Sequence, residues 1–245
     1  MPLDQEETDV QKTQPLLIFP YNGNGIEALD CIGDSYRFIG FVDDTPQKRG
    51  VDANGYPVFD RDAFALFSDA CVLAVPGSPV SYRSRREIIQ GLDLAEERFA
   101  RVIHPSASVS PLASIGCNVL IMAGVVITSN ARIGSHISIL PNTVIHHDVD
   151  VDDWTLIGSN VTIAGNTVVE ENCYIGSGSN VMNGLRVGSG ALVGFGSNVI
   201  SSVATGSRVV GNPAREIGIR SKRPLFAAAD LSSSREEEGI LKKCK

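Results

Sequence analysis

From Ile103 to Val199 the chain carries Ile or Val at every sixth position, seventeen times in succession. Four residues after each one stands a small or medium residue, among them Ala107, Ala131, Thr143, Thr155, Cys173 and Ser179. A period of six fits neither the 3.6-residue helix nor the heptad of a coiled coil. It is the mark of a parallel β-helix built from hexapeptides. Each hexapeptide supplies one short flat strand and one corner of a triangular prism. The β-branched residue points to the axis, where its stiff χ1 suits a strand. The second inward position is kept small by the tight corner. Three hexapeptides close a coil, so the run predicts about five or six coils. Gly, Asn and Asp fill the outward turns, for example Asn118, Asp148, Asn160, Gly176, Gly178 and Gly196. These residues tolerate positive φ. Such a stack buries its core only between neighbouring coils.

Upstream of the repeat the pattern changes. Pro15–Pro20 (PLLIFP) and Arg37–Asp44 (RFIGFVDD) read as strands, and so does Ala70–Pro76 (ACVLAVP). Ile26–Ile32, Arg61–Ser68 and Ser81–Leu94 read as helices between and after them. This β-α-β order predicts a small Rossmann-like parallel sheet with helices around it. Ligands of such sheets sit at the carboxyl ends of the strands. That rule gathers Tyr21–Gly25 (YNGNG), Asp43, Asp44 and Val75–Ser78 around one crevice. The expected organisation is a leader over 1–14, an α/β domain over 15–102, an all-β prism over 103–217 and a tail over 218–245, which holds SSSREEEGILKKCK and at most a short helix.

Composition limits the function. The net charge is −7 and no basic patch suits nucleic acid. The five cysteines, Cys31, Cys71, Cys117, Cys173 and Cys244, are scattered and lack CxxC spacing. That favours reduced thiols and a cytoplasmic setting. The acidic N-terminus has no signal-peptide character, and no apolar run is long enough to span a membrane.

There are four histidines: His104, His136, His146 and His147. His147 lies two places after the inward Ile145, at an outward corner, and Asp148 follows it directly. Imidazole titrates near neutrality and is a natural general base. An adjacent carboxylate orients such a ring and raises its basicity. A solvated corner histidine is the plain alternative. Trp154, the single tryptophan, either lines an acceptor pocket near this base or packs a subunit contact.

The segment Ile139–Asn166, ILPNTVIHHDVDVDDWTLIGSNVTIAGN, resembles the catalytic coils of bacterial nucleotide-sugar acyltransferases related to the bacillosamine and sialic-acid acetyltransferases. FVDD, the linker VIHPSASVSP and the closing VVGNPAREI resemble theirs too, so the likeness spans roughly residues 15–217. The resemblance implies a left-handed β-helix, a homotrimer, acetyl-CoA as co-substrate and no metal. It implies that His147, followed by Asp148, removes a proton from the acceptor amine or hydroxyl, with His146 supporting the corner. It implies a nucleotide-linked amino sugar bound in the sheet domain by Asn22, Gly23, Asn24, Asp43 and Asp44. The glycine turn would let backbone approach phosphate. It implies acetyl-CoA in a groove between prisms, at Leu156, Ser177 and Phe195, with Gly165 and Gly176 nearby. The chain departs from the family at two of these places. PYNGNG replaces a GxGGHG-like turn, so Asn24 stands where a histidine is common, and Leu156 also replaces a histidine found in some relatives.

The expected activity is acetyl transfer to the amine of a nucleotide-linked sugar in a direct ternary complex. O-acetylation is its close variant. A γ-type carbonic anhydrase would need three spaced zinc-binding histidines, which adjacent His146 and His147 do not supply. A non-catalytic assembly prism would have no use for a His-Asp corner beside a sheet domain.

Overall fold

A computed structural model describes residues 13–218. Nearly all of the leader expected over 1–14 and of the tail expected over 218–245, with its short helix and Cys244, lies outside the described residues.

The first part is a five-stranded sheet. Its strands are β1 (Gln14–Phe19), β2 (Tyr36–Val42), β3 (Gly50–Val51), β4 (Pro57–Phe59) and β5 (Cys71–Ala74). They lie in the order β3-β4-β2-β1-β5. β1 pairs in parallel with β2 and β5, and β2 with β4. The sheet is not wholly parallel as expected, because β3 and β4 form an antiparallel hairpin. Its helices are shorter than the sequence pattern suggests: α1 (Gly23–Glu27), α2 (Ala63–Leu66) and α3 (Arg85–Gln90). Leu16, Leu17, Ile18, Val72 and Leu73 are buried on both faces of the central strands, as expected for a covered parallel sheet.

The second part is the left-handed β-helix. Strands eighteen residues apart stack in parallel on three faces. The first face begins at Ser108–Val109 and the second at Ser114–Ile115. The third begins at Arg101–Ile103 and ends in the antiparallel pair Arg208–Val210 and Arg215–Glu216. Every inward Ile or Val from Ile121 to Val199 is buried, and the partner positions Thr143, Thr155, Thr167, Cys173 and Ser179 are fully buried. Burying such a side chain contributes about 1.5–3 kcal/mol. The small polar residues among them are tolerated in the core because each donates its hydroxyl to a backbone carbonyl. Thr143 donates to Gly158 O, Thr155 to Glu170 O, Thr167 to Met182 O and Ser179 to Gly194 O.

The turn residues divide into two kinds. From Asn118 to Gly196, every sixth residue has positive φ. Twelve of these fourteen are Asn, Asp or Gly; the other two are His136 and Trp154. Gly116, Gly134, Gly158, Gly176, Gly188 and Gly194 are glycines for another reason, since their φ is ordinary. A Cβ on each would lie within 3 Å of an atom of the adjoining coil; at Gly176 it would meet Phe195 N at 2.7 Å.

The two parts are fastened at the corner between the second and third faces. His136 and Trp154 stack there, one coil apart, with ring centroids 3.9 Å apart and planes at 5°. Phe99 meets His136 edge-on, and the Arg86 guanidinium lies over the Trp154 ring. Trp154 therefore lines no acceptor pocket near His147, and it needs no second subunit for its packing. It closes the hydrophobic core under the sheet with Leu17, Phe19 and Ile89. A bulky residue in the left-handed region costs about 1–2 kcal/mol, which this packing offsets. Asn118 bridges the parts by donating to Ala74 O and accepting from Ala74 N, with its amide nitrogen also 3.1 Å from His136 Nδ1.

Burial pushes the His136 imidazole down to about 4, the nearby Arg85 adds to the effect, and Asp153 opposes it. The folded protein keeps this ring neutral until about pH 4, while the unfolded chain protonates it from about pH 6.5. Between these values the unfolded chain holds the extra proton, so stability is lost as pH falls through that window. Thermal melts between pH 7 and 4 should show this fall, and His136→Phe, which keeps a flat ring but cannot titrate, should flatten it. An unchanged slope in the variant would count against His136 as its source.

Candidate active site

The candidate site residues fall into two groups, on opposite sides of the prism. The first lies at the vertex between the first and second faces. Ile145 ends a strand of the first face and points inward, so His147 two residues later projects from the vertex. Its ring is 56% exposed. Nδ1 lies 2.8 Å from Asp148 Oδ2. Asp148 adopts φ 56°, which turns its carboxylate back along the vertex toward the ring. The bond to His147 and a second one from Asn130 hold this carboxyl below its ordinary range against a small opposing desolvation. An ionised carboxylate only accepts hydrogen bonds, so Nδ1 is the donor to Asp148, and in a neutral ring that leaves Nε2 as the acceptor. Gly165, one coil on, is buried beneath the ring. His146 hydrogen-bonds through its backbone to Ile163 O.

The second group lies on the far side, where the sheet domain meets the third face. The carboxyl ends of β1 and β5 open onto a cleft of about 170 Å³. Asn24, Gly77, Ser78 and Pro79 line one wall, and Ser138, Leu140, Leu156 and Tyr174 line the other. Leu156 packs with Tyr82, Tyr174 and Leu192 in a small apolar cluster. Tyr174 meets Phe195 edge-on at 6.2 Å, and Phe195 stays 54% exposed. Ser177 accepts a hydrogen bond from Ser159 N in the coil before. Leu156, Gly176, Ser177 and Phe195 thus share one edge, while Gly165 belongs to the His147 vertex.

The residues of the glycine turn have separate tasks. Asn22 caps α1 by accepting from Gly25 N at 2.8 Å. Gly25 is required because a Cβ would lie 2.5 Å from Pro20 O. A Cβ on Gly23 would meet nothing within 4 Å, and Asn24 faces the cleft. Asp43 is buried and already partnered, accepting from Thr45 N at 2.8 Å and Lys48 Nζ at 3.0 Å. Burial raises its pKa, but these bonds outweigh that and hold it below the ordinary value. Asp44 takes a bidentate pair from Arg61 at 2.6 and 2.7 Å.

The sequence reading missed Arg85, which is fully buried at the join. Its guanidinium donates to Ala74 O and Pro76 O on the sheet side, and to His136 O and Ser138 Oγ on the prism side. Burial pushes its pKa down to about 9, so it stays charged at neutral pH. Its sequence signal was slight, one arginine in RSRRE. The misfit residues His136 and Trp154 in an otherwise Asn, Asp and Gly series were the better marker of the docking corner.

Among the described residues no group of three or more His, Cys, Asp and Glu is disposed to hold a metal. Burial pushes the Cys31 thiol up to about 11 and the Cys173 thiol up to about 12, so neither serves as a thiolate nucleophile at neutral pH. No helix among the described residues is long and apolar enough to cross a membrane.

No family model and no curated protein matches the sequence. Solved structures do match its fold. The acetyltransferase domain of PglB from Neisseria gonorrhoeae FA1090, solved in complex with acetyl coenzyme A, is 25% identical, with a TM-score of 0.74 over 84% of this chain and 100% of that one. PerB from Caulobacter crescentus, solved with CoA and GDP-perosamine, is 26% identical, with a TM-score of 0.72 over 84% of this chain and 97% of that one. WeeI from Acinetobacter baumannii AYE, 24% identical, has the same fold, with a TM-score of 0.71 over 84% of this chain and 100% of that one. The six-residue repeat and the sheet domain docked on its third face thus give the chain the left-handed β-helix fold of these structures, and it is similar to hexapeptide sugar acetyltransferases of that type.

Proposed function

We propose that the protein transfers acetyl from acetyl-CoA to the amine of a nucleotide-linked amino sugar, with His147 as general base. The observation that carries this reading is the exposed His147 ring, held by Asp148 through Nδ1 with Nε2 free. PglB was solved with acetyl-CoA and PerB with a nucleotide-linked sugar, which supports the donor and the class of acceptor. Residues 15–102 hold the sugar nucleotide, and residues 103–217 carry out the transfer. The setting is the cytoplasm, in keeping with free thiols.

Acetyl-CoA supplies an activated acetyl group. His147 Nε2 takes the proton that the acceptor nitrogen releases as it bonds to the thioester carbon, and the C–S bond breaks to leave the CoA thiolate. Asp148 stabilises the imidazolium that results. Backbone N–H groups at the corners stabilise the oxyanion. Asn24 and the wall of the cleft orient the sugar. Leu156, Gly176, Ser177 and Phe195 offer apolar and backbone contacts to the CoA arm, and a leucine at 156 leaves no polar alternative there. Asp43 and Asp44 serve the acceptor indirectly, by holding the turn that carries Lys48 and the one that carries Arg61.

A triangular prism puts the His147 vertex opposite its third face, and the cleft lies on that face. One chain therefore cannot bring its own base to its own cleft. A homotrimer does so by setting the vertex of one subunit beside the cleft of the next, giving three equivalent sites. Sedimentation should show a trimer, and a fully active monomer would refute the shared site. Release of CoA thiol should be tested against UDP-, dTDP- and GDP-linked amino sugars and their hydroxyl counterparts. Turnover confined to amino sugars is the expected result. Turnover of hydroxyl sugars alone would reassign the enzyme to O-acetylation, and none with any of them would defeat the reading.

A further inference from the structure

We infer that Asn130 and Gly165, one coil before Asp148 and one coil after His147, are positioning residues that set the tautomer and orientation of the His147 ring. The inference rests on the reading of His147 as the base. Asn130 Nδ2 donates to Asp148 Oδ1 at 3.0 Å, so Oδ2 is the carboxylate oxygen left for His147 Nδ1 at 2.8 Å. The backbone is pinned at the same level, with Asp148 N donating to Ser129 O at 3.0 Å and Asn166 N to His147 O at 3.1 Å. Asn130 and Asp148 both adopt left-handed φ, 60° and 56°. The vertex repeat thus places an amide donor directly against the carboxylate. A free imidazole is not restricted to one tautomer; here the chain Asn130–Asp148–His147 selects Nδ1–H and leaves Nε2 as the proton acceptor.

Gly165 acts from the other side. A Cβ there would stand 2.7 Å from both Cε1 and Nε2 of His147, and 3.1 Å from His147 O. Its φ is not in the left-handed region, so the backbone does not demand a glycine. What demands it is the ring, which lies on the space that a methyl group would fill.

The test uses the full chain and three variants. Asn130→Gly keeps the left-handed backbone accessible and removes only the amide. Asn130→Asp keeps shape and replaces the donor by a like charge. Gly165→Ala adds the methyl group. Each is measured by steady-state CoA release and by 15N spectra of the His147 ring, which report the tautomer without need of turnover. Asn130→Gly should lower kcat about tenfold, with KM for both substrates little changed, and should shift the ring toward the Nε2–H tautomer. Asn130→Asp should be worse than Asn130→Gly. Gly165→Ala should cost about 100-fold in kcat. In a His147→Ala background each should add no more than about twofold, because the ring they act through is gone. An unchanged tautomer in Asn130→Gly, or losses that add in full to that of His147→Ala, would overturn the inference. Should His147→Ala itself retain kcat, the general-base reading falls, and the 15N spectra still decide whether Asn130 and Gly165 hold the ring.

Discussion

His147→Ala should lower kcat by about 10²–10⁴, the range lost with a general base, while the melting temperature stays nearly unchanged. The reason lies in the division of labour along one hexapeptide. Ile145 and Val149, on either side, are 0% and 1% exposed and fill the core. The His147 side chain projects from the vertex, over Gly165 and against Asp148. Asp148→Asn should cost less, because asparagine accepts the left-handed backbone and can still present a carbonyl oxygen to Nδ1. His146→Ala should be much milder than either. Steady-state kinetics with paired thermal melts decide the matter. If His146→Ala abolishes turnover and His147→Ala does not, the base is the neighbouring histidine; if neither matters, this vertex is not the active site.

Arg85→Met should destabilise the protein by at least about 3 kcal/mol, because each acceptor left buried without a donor costs about 1–3 kcal/mol. Four acceptors meet this one guanidinium, two from the sheet domain and two from the prism; Ala74 O also accepts from Asn118, which leaves Pro76 O, His136 O and Ser138 Oγ to depend on Arg85. Methionine fills much of the volume, so the loss would be of hydrogen bonds more than of packing. Arg85→Lys should recover only part of it, since an ammonium cannot match the planar fork. Turnover should fall as well, because Gly77, Ser78 and Ser138 line the cleft directly in front of these bonds. Urea unfolding of wild type and both variants measures the effect. Arg85→Met as stable as the wild type would show that the join is held without it, by Tyr82, Arg83, Asn118 and the Trp154 cluster.

The rest of the join illustrates why such a contact is hard to read from a linear pattern. Tyr82 donates to Gly190 O, and Arg83 to Gly190 O and Gly206 O. These are contacts between a side chain and backbone carbonyls more than a hundred residues away. No periodicity marks them, because the carbonyl of any residue type would serve. The cleft is equally hidden, being made of Asn24 and Ser78 on one side and Ser138 and Tyr174 on the other.

The sequence by itself determined the prism, its inward residues and the outward vertex of His147. A coil that repeats every eighteen residues stacks like on like, so each position meets the same chemistry in the coils before and after. Local spacing is then enough to assign the inside and the outside. It also determined that strands and helices alternate upstream, though it overstated the helices and missed the antiparallel hairpin of β3 and β4. Only the tertiary structure decided what Trp154 packs against, which carboxylates are already partnered, and why Gly165 must be a glycine. It also decided that the cleft and the base occupy opposite sides of one chain. Those outcomes depend on which vertex of the prism the sheet domain covers, and that choice was made by hydrogen bonds, buried from Arg85 and Asn118 and partly buried from Tyr82, to groups far away in the sequence.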